Sequence, residues 1–295
     1  MSNDNRILRD VLVKLVREPS SALLGFRVLG DLCATWLRRP VNAFGLLGTL
    51  PSTAAGMEYA RTWRAPGAGS DVKSLPARPE EPNPLWQAFE AHREGRGVSK
   101  WKHYFEIYHR HFSRFVGQPV HVLEIGVASG GSLELWGGYF GKQCRIYGVD
   151  VREECRQFQS DTAQIFIGDQ ADRAFWKQFK EQVPQVDILI DDGGHTPEQQ
   201  IVTLEEMLPH LRPGGVYLCE GIWRVHNRFA AYFNGLTRSH HFLNWQPSEM
   251  GLPSSFQEAI HSFHVYPYAV VIEKTRARTE PFTAPKRGSV WLPPK

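Results

Sequence analysis

A glycine-rich loop between a strand and a helix constrains this chain more than any other feature. The run Val120-His-Val-Leu-Glu124-Ile-Gly126-Val-Ala-Ser-Gly130-Gly131 joins an apolar stretch to three glycines, and Arg145-Ile-Tyr-Gly-Val-Asp150 follows it. The apolar part reads as a buried strand. Gly126, Gly130 and Gly131 let the backbone pass close to a ligand at the N-terminus of the next helix. Asp150, one βα unit later, stands where an acid accepts hydrogen bonds from two ribose hydroxyls. Together the two strands describe a nucleoside pocket.

The glycine spacing narrows the choice of nucleoside. A dinucleotide fingerprint needs G-x-G-x-x-G so that a pyrophosphate can sit on the helix, but Gly126 is followed two residues later by Ala128. Glu124 is also poorly placed beside a pyrophosphate, whereas it suits a ligand that carries an ammonium group. S-adenosylmethionine has one beside its sulfonium. At these residues the chain resembles the class I S-adenosylmethionine-dependent methyltransferases, whose first motif is E/D-x-G-x-x-x-G. The resemblance implies cofactor contacts at Glu124, Gly126, Gly130 and Asp150.

The remaining elements follow in the order that such a fold needs. Gln164-Ile-Phe-Ile-Gly168-Asp169-Gln170 reads as a third strand with a polar end, where Asp169 and Gln170 would meet the adenine. Val186-Asp-Ile-Leu-Ile-Asp191-Asp192-Gly-Gly-His195 reads as a fourth strand ending in two acids and a histidine, with Asp191 assigned to the cofactor. Thr196-Pro197-Glu198-Gln199 is a helix start, with an N-cap, a proline at the first position and a partner three residues on. Ile201, Leu204, Leu208 and Leu211 continue at helical spacing. Arg212-Pro213-Gly214-Gly215 is expected to stop that helix, and Val216 to Glu220 to form a fifth strand. Ser262 to Lys274 fits terminal antiparallel strands. The fold class is therefore α/β, a Rossmann-like, mostly parallel, doubly wound sheet with an antiparallel C-terminal strand and an N-terminal helical extension.

A closer resemblance rests on four motifs: the aromatic helix around Tyr104 to Tyr108, Leu123-Glu-Ile-Gly126, Gly168-Asp-Gln170 and Asp191-Asp-Gly-Gly-His195. Together they are similar to the macrolide-sugar O-methyltransferases of the mycinamicin and tylosin pathways and the related cephalosporin 7α-methoxylation protein, over roughly Lys100 to Lys274. The resemblance implies a magnesium ligand at Asp192, a catalytic base at His195 with Asp192 beside it, and a second metal ligand at Glu220. Where that family has an adjacent Glu-Asp pair, this sequence has Glu220-Gly221. It also implies that the segment before the first strand lies over the cofactor, with His103 and Tyr104 as contacts. A sugar hydroxyl is a poor nucleophile, so a neutral imidazole at His195 suits removal of its proton. The expected activity is O-methyl transfer to a hydroxyl of a small molecule, a sugar or glycosylated natural product. A non-catalytic cofactor-binding partner and a membrane-associated scaffold are the rival readings.

The rest of the chain is less informative. With 295 residues and a formal charge of +3, it is long enough for one substantial core and too weakly basic to point to a nucleic-acid partner. Cys33, Cys144, Cys155 and Cys219 lack metal spacing and read as reduced thiols of a cytoplasmic protein. Ile7 to Val16 and Ala22 to Trp36 predict helices in an extension over 1–64. They are too short or too charged to span a bilayer, and are candidates for packing on the core or on a second copy of the chain. Five prolines mark 65–84 as a linker, 85–275 as the methyltransferase domain and 276–295 as a loose tail. Trp101, Tyr104, Phe105, Tyr108, Phe112 and Phe115 read as one core-facing helical stripe, while His109 and His111 point apart and argue against a metal pair. Trp223 to Phe229 is placed to hold an acceptor ring.

Overall fold

The structure is a computed structural model that describes residues 40–63, 82–223, 227–241, 253–277, 285 and 287–290, with only the backbone described for 40–48. Contacts divide the chain into two units, Met1–Arg78 and Pro79–Lys295. In the first, helix α1 (Pro40–Thr62) is the described element, and Met57, Tyr59 and Trp63 on or beside it are exposed. The expected helices over Ile7 to Val16 and Ala22 to Trp36, Cys33, and most of the proposed linker and tail lie outside the described residues. Among the described residues no helix is long and apolar enough to cross a membrane.

The second unit begins at Asn83, whose side-chain oxygen accepts from the backbone N–H groups of Leu85 and Trp86 and so caps α2 (Pro84–Ala91). Its amide donates to the Phe105 carbonyl at 2.8 Å, which ties α2 to α3 (Tyr104–Phe112). Seven strands then form one sheet in the order β3-β2-β1-β4-β5-β7-β6. They are β1 (His121–Ile125), β2 (Arg145–Asp150), β3 (Ala163–Ile167), β4 (Val186–Asp191), β5 (Leu211–Cys219), β6 (Ile260–Tyr266) and β7 (Ala269–Lys274). The first five are parallel, and β7 runs antiparallel to both β5 and β6. Helices α4 (Gly131–Phe140), α5 (Arg173–Gln182), α6 (Pro197–Met207), α7 (Arg228–His241) and α8 (Ser255–Ala259) connect them.

Burial on both faces explains why the strands are so apolar. Val122, Ile188, Ile190, Val216 and Leu218 pack on one side with α3 and α4, while Leu123, Ile125, Leu189 and Tyr217 pack on the other with α5, α6 and α7. The alternation matters for polar residues too. Glu124 shares the α3 side with Val122, and Glu220, two residues beyond Leu218, turns to that same side. Asp191, two beyond Leu189, turns to the α6 side.

Several expected boundaries shift. The predicted capping box is present, with Thr196 Oγ1 accepting from the Gln199 N–H and Gln199 reaching back to the Thr196 N–H. However, α6 ends at Met207, and Arg212-Pro213-Gly214-Gly215 lies inside β5 rather than in a helix stop. The register there jumps from Val186↔Leu211 to Ile188↔Val216, so a bulge absorbs the proline and glycines that read as a terminator. Of the aromatic stripe, Tyr104, Phe105, Tyr108 and Phe112 are buried, but Trp101 precedes the helix and is 49% exposed.

His109 and His111 do point apart. His109 Nδ1 meets the Tyr139 hydroxyl at 2.9 Å, and His111 Nδ1 meets Glu273 Oε1 at 2.7 Å. Arg114 Nη1 donates to that same carboxylate oxygen at 3.0 Å, so β7 is pinned to the end of α3. The His111 bond, opposed by burial and reinforced by Arg114, holds the Glu273 carboxyl down at about 2, against an ordinary 4.5. A carboxyl depressed in the folded state stabilises fully above its unfolded value and loses that contribution as pH falls through its folded value. Glu273→Gln is therefore expected to lower unfolding free energy by about 1–3 kcal/mol at about pH 7. In denaturant titrations the gap to the native chain should close between about pH 4.5 and pH 2; a gap constant over that range would contradict this account.

Candidate active site

Two clefts open at the carboxyl ends of the parallel strands, where open α/β sheets place their ligands. The first, of about 340 Å³, is lined by Gly126, Ala128, Asp150, Gly168, Gln170 and the Asp192-Gly-Gly-His195 loop, among others. The second, of about 400 Å³, is lined by Lys100, Trp101, Tyr104, Asp192, His195, Glu220, Gly221 and Trp223, among others. Asp192 and His195 border both.

The first cleft follows from the glycine loop. Gly126 has φ +93°, and a Cβ there would lie 2.1 Å from the Asp192 carbonyl oxygen, so a side chain would separate β1 from the β4 loop. Asp150 Oδ2 accepts from the Ala128 N–H and Oδ1 from the Arg152 N–H, each at 3.0 Å. Burial pushes this carboxyl up, but these two backbone donors outweigh it and hold the group below its ordinary range. The Arg152 guanidinium lies 3.5 Å from Oδ1 as well, and the carboxylate lines the cleft, where a ligand hydroxyl can reach it. Gln170 is buried and braces the wall: its amide donates to Asp191 Oδ1 at 2.8 Å and to Thr203 Oγ1 at 3.0 Å, while its oxygen accepts from the Gly194 N–H at 2.8 Å.

The other residues expected to touch the cofactor are not among those that line this cleft. Asp169 is exposed, and its carboxylate accepts from the Ala171 N–H at 2.8 Å instead of lining the cleft. Asp191 is buried on the α6 side beneath the loop, where burial raises its carboxyl to about 6 against the lowering effect of Gln170. Glu124 is fully buried and held by Ser132 Oγ at 2.5 Å. Gly130 caps α4 with φ +77° and packs under the Phe158 ring. Tyr104 and His103 sit on the second-cleft side. The Tyr104 hydroxyl donates to the Tyr268 carbonyl at 3.1 Å, and His103 Nε2 meets the Pro267 carbonyl at 3.0 Å.

In the second cleft the acids converge on a residue to which the sequence reading assigned no role. Lys100, 3% exposed, places its ammonium 2.6 Å from Asp192 Oδ2, 3.3 Å from Glu124 Oε1 and 3.5 Å from Glu220 Oε1. Burial opposes the charge on this lysine, but the three carboxylates together raise its pKa well above the ordinary value. Glu220, also buried, accepts from the Tyr108 hydroxyl. Burial raises its carboxyl, and the Lys100 ammonium and the Tyr108 hydroxyl pull it back down. Tyr108 was legible as a core aromatic, but nothing in its spacing marked its hydroxyl as a carboxylate partner. Lys100 likewise has no periodicity to betray it.

Magnesium prefers an octahedron of oxygens at about 2.0–2.1 Å. Asp192 and Glu220 each have an oxygen within 3.5 Å of the Lys100 ammonium, which already serves as their cation, and Gly221 supplies no third carboxylate. As folded, the donor set therefore does not fit a divalent ion.

His195 has φ +56°, outside the usual range for a non-glycine residue. Its Nε2 lies 3.5 Å from Asp192 Oδ1, while Nδ1 is buried with no hydrogen-bond partner and packs over Gly221. A Cβ at Gly221, itself at φ +65°, would sit 2.2 Å from that Nδ1. The missing acid after Glu220 thus has a local cause: any side chain there collides with the imidazole. Around the mouth, Trp101, Trp223 and Tyr268 form a ring cluster with centroids 5.3–6.0 Å apart. Phe229, expected near the acceptor, is fully buried against Phe233, and Arg224 and His226 lie outside the described residues.

Residues 123–222 match the family model described as a methyltransferase domain, and they lie on the Rossmann-like sheet order given above. Over 209 residues it is 31% identical to the 8-demethyl-8-(2-methoxy-alpha-L-rhamnosyl)-tetracenomycin-C 3'-O-methyltransferase of Streptomyces olivaceus, covering 63% of this chain and 53% of that protein. Over 128 residues it is 35% identical to the mycinamicin VI 2''-O-methyltransferase of Micromonospora griseorubida, covering 40% of this chain and 31% of that protein. Among solved structures it is similar to the MycE methyltransferase of the mycinamycin biosynthetic pathway in complex with Mg, SAH and mycinamycin VI. That match has a TM-score of 0.53 and 27% identity, and covers 67% of this chain and 54% of that one. The chain spans about half the length of the first of these relatives and of this structure.

Gly221→Ala tests the packing under the imidazole. It is expected to cost about 1–3 kcal/mol in stability, because a strained backbone gains a clash. It should also shift the His195 ring resonances in NMR spectra, and unchanged resonances with full stability would contradict the contact.

Proposed function

We propose that this protein is an S-adenosylmethionine-dependent O-methyltransferase acting on a hydroxyl of a glycosylated natural product, with His195 as general base. The observation that carries the reading is that Asp192 and His195 border both clefts, so one imidazole stands between a nucleoside-sized site and a second site open to an acceptor. Asp150 would take the ribose hydroxyls, with the glycine loop beneath the sugar and the sulfonium directed toward the shared wall. The relatives named above, which methylate sugars on tetracenomycin and mycinamicin scaffolds, support the acceptor class.

The proton is handled by residues of this chain. Nδ1 of His195 is closed off over Gly221, so Nε2 is the nitrogen that faces the cleft. It accepts the hydroxyl proton as the acceptor oxygen attacks the sulfonium methyl and the methyl–sulfur bond breaks, with the Asp192 carboxylate 3.5 Å from that nitrogen. Near-alignment of oxygen, methyl and sulfur is a matter of holding the acceptor, and the rings of Trp101, Trp223 and Tyr268 offer faces on which the C–H side of a sugar or an apolar aglycone can lie. No step here requires a metal ion.

Two measurements test this. In calorimetry with S-adenosylhomocysteine, Asp150→Ala should weaken binding by about 1–3 kcal/mol, since ribose hydroxyls lose a buried acceptor; unchanged affinity would remove Asp150 from the site. With labelled S-adenosylmethionine and a panel of rhamnosylated and related glycosides, His195→Ala should lower turnover by about a hundredfold or more while leaving cofactor affinity nearly unaltered. Turnover that survives intact would make His195 a structural residue.

A further inference from the structure

The acid cluster expected to hold magnesium already contains a cation. Three carboxylates, Glu124, Asp192 and Glu220, come from three different segments, and the Lys100 ammonium lies within 3.5 Å of an oxygen from each. Glu124 and Glu220 are almost wholly buried, as is Lys100 itself. A divalent ion bound to Asp192 and Glu220 would need their oxygens at about 2.0–2.1 Å. The ammonium already lies 2.6 Å from the Asp192 oxygen and 3.5 Å from the Glu220 oxygen, too close for a divalent ion to join it on both, so the two cations exclude each other.

We propose that Lys100 is the resident counter-ion of this cluster, a tethered cation that positions Asp192 and Glu220 in place of a divalent metal. Lys100 is a positioning residue. It spans from the β1 acid beside the glycine loop to the acid that neighbours His195, so one side chain fixes the carboxylates behind both clefts. An ammonium differs from magnesium in a way that matters for chemistry: it is a hydrogen-bond donor of single charge with no open coordination position. It can orient carboxylates and offset their repulsion, but it cannot bind two substrate hydroxyls and acidify one. Gly221 agrees with this. The position that would have contributed another carboxylate is given over to packing under His195, so the cluster has lost a ligand as well as being occupied.

The test needs neither methyl donor nor acceptor, so it stands apart from the catalytic reading. Manganese binding to the full chain is followed by electron paramagnetic resonance and calorimetry, for the native protein, Lys100→Met and Lys100→Gln. The native protein is expected to show no saturable binding below about 1 mM, whereas removal of the ammonium should tighten binding by about tenfold or more. Asp192→Asn in the Lys100→Met background should abolish the gain. Saturable sub-millimolar binding by the native protein that is lost in Asp192→Asn would overturn the proposal. So would lysine variants, folded by circular dichroism, that bind manganese no better than the native chain. If both lysine variants fail to fold, the native protein's titration and its Asp192→Asn control still decide the matter.

Discussion

Carrying an ionised carboxylate into a site almost closed to water costs several kcal/mol unless a charge of opposite sign comes with it, and two buried acids, Glu124 and Glu220, meet the partly exposed Asp192 beside the parallel strands. Glu124 and Glu220 are brought to one side of the sheet by the two-residue period of β1 and β5, and Asp192 is brought back over them by the loop after β4. Nothing in a strand's geometry prevents such convergence, but electrostatics would resist it. The Lys100 ammonium, the Tyr108 hydroxyl and the Ser132 hydroxyl are what make it tolerable. The segment over Lys100 to Phe112 is therefore required twice, once for its aromatic face in the core and once for the polar groups it presents to the acids. Loss of that segment would leave uncompensated charge as well as an uncovered sheet.

Much of the architecture could be read from the chain because it rests on short-range patterns. Continuous apolar strands, a glycine loop, and a capping box at Thr196 each declare themselves within a few residues, and the parallel, doubly wound character of the sheet follows from the alternation of strands and helices. Asp150 and the Asp192-to-His195 loop were legible for the same reason: each sits at the end of a readable strand. The start of β5 was not, since a proline and two glycines that signal a stop in a helical context can also be absorbed by a bulge when a neighbouring strand offers partners.

Side-chain direction was the harder part. Asp191 and Asp192 are adjacent in sequence and look interchangeable, yet strand parity sends the first under the loop to Gln170 and leaves the second in the clefts. Asp169 reads as a ligand contact by position, and in the fold its Oδ1 accepts from the Ala171 N–H of its own turn. Lys100 was invisible for a different reason. Its partners are 24, 92 and 120 residues away, so no window on the sequence contains the ion pairs that define it. Gly221 reads as a missing acid until the imidazole above it is seen.

The wall around the second cleft is assembled from parts anchored in very different places. His195, Asp192 and Glu220 are anchored to central strands, whereas Trp101 lies in the approach to α3 and Tyr268 forms the turn between β6 and β7, at φ +61°. That hairpin is the last pair of strands added to the sheet, and its tip touches the centre through the Tyr268 carbonyl on the Tyr104 hydroxyl. Insertions or replacements at such a turn leave the hydrogen-bonded ladder behind it intact. Over evolutionary time the chain can thus exchange the surface that greets an acceptor while the groups that handle its proton stay where they are.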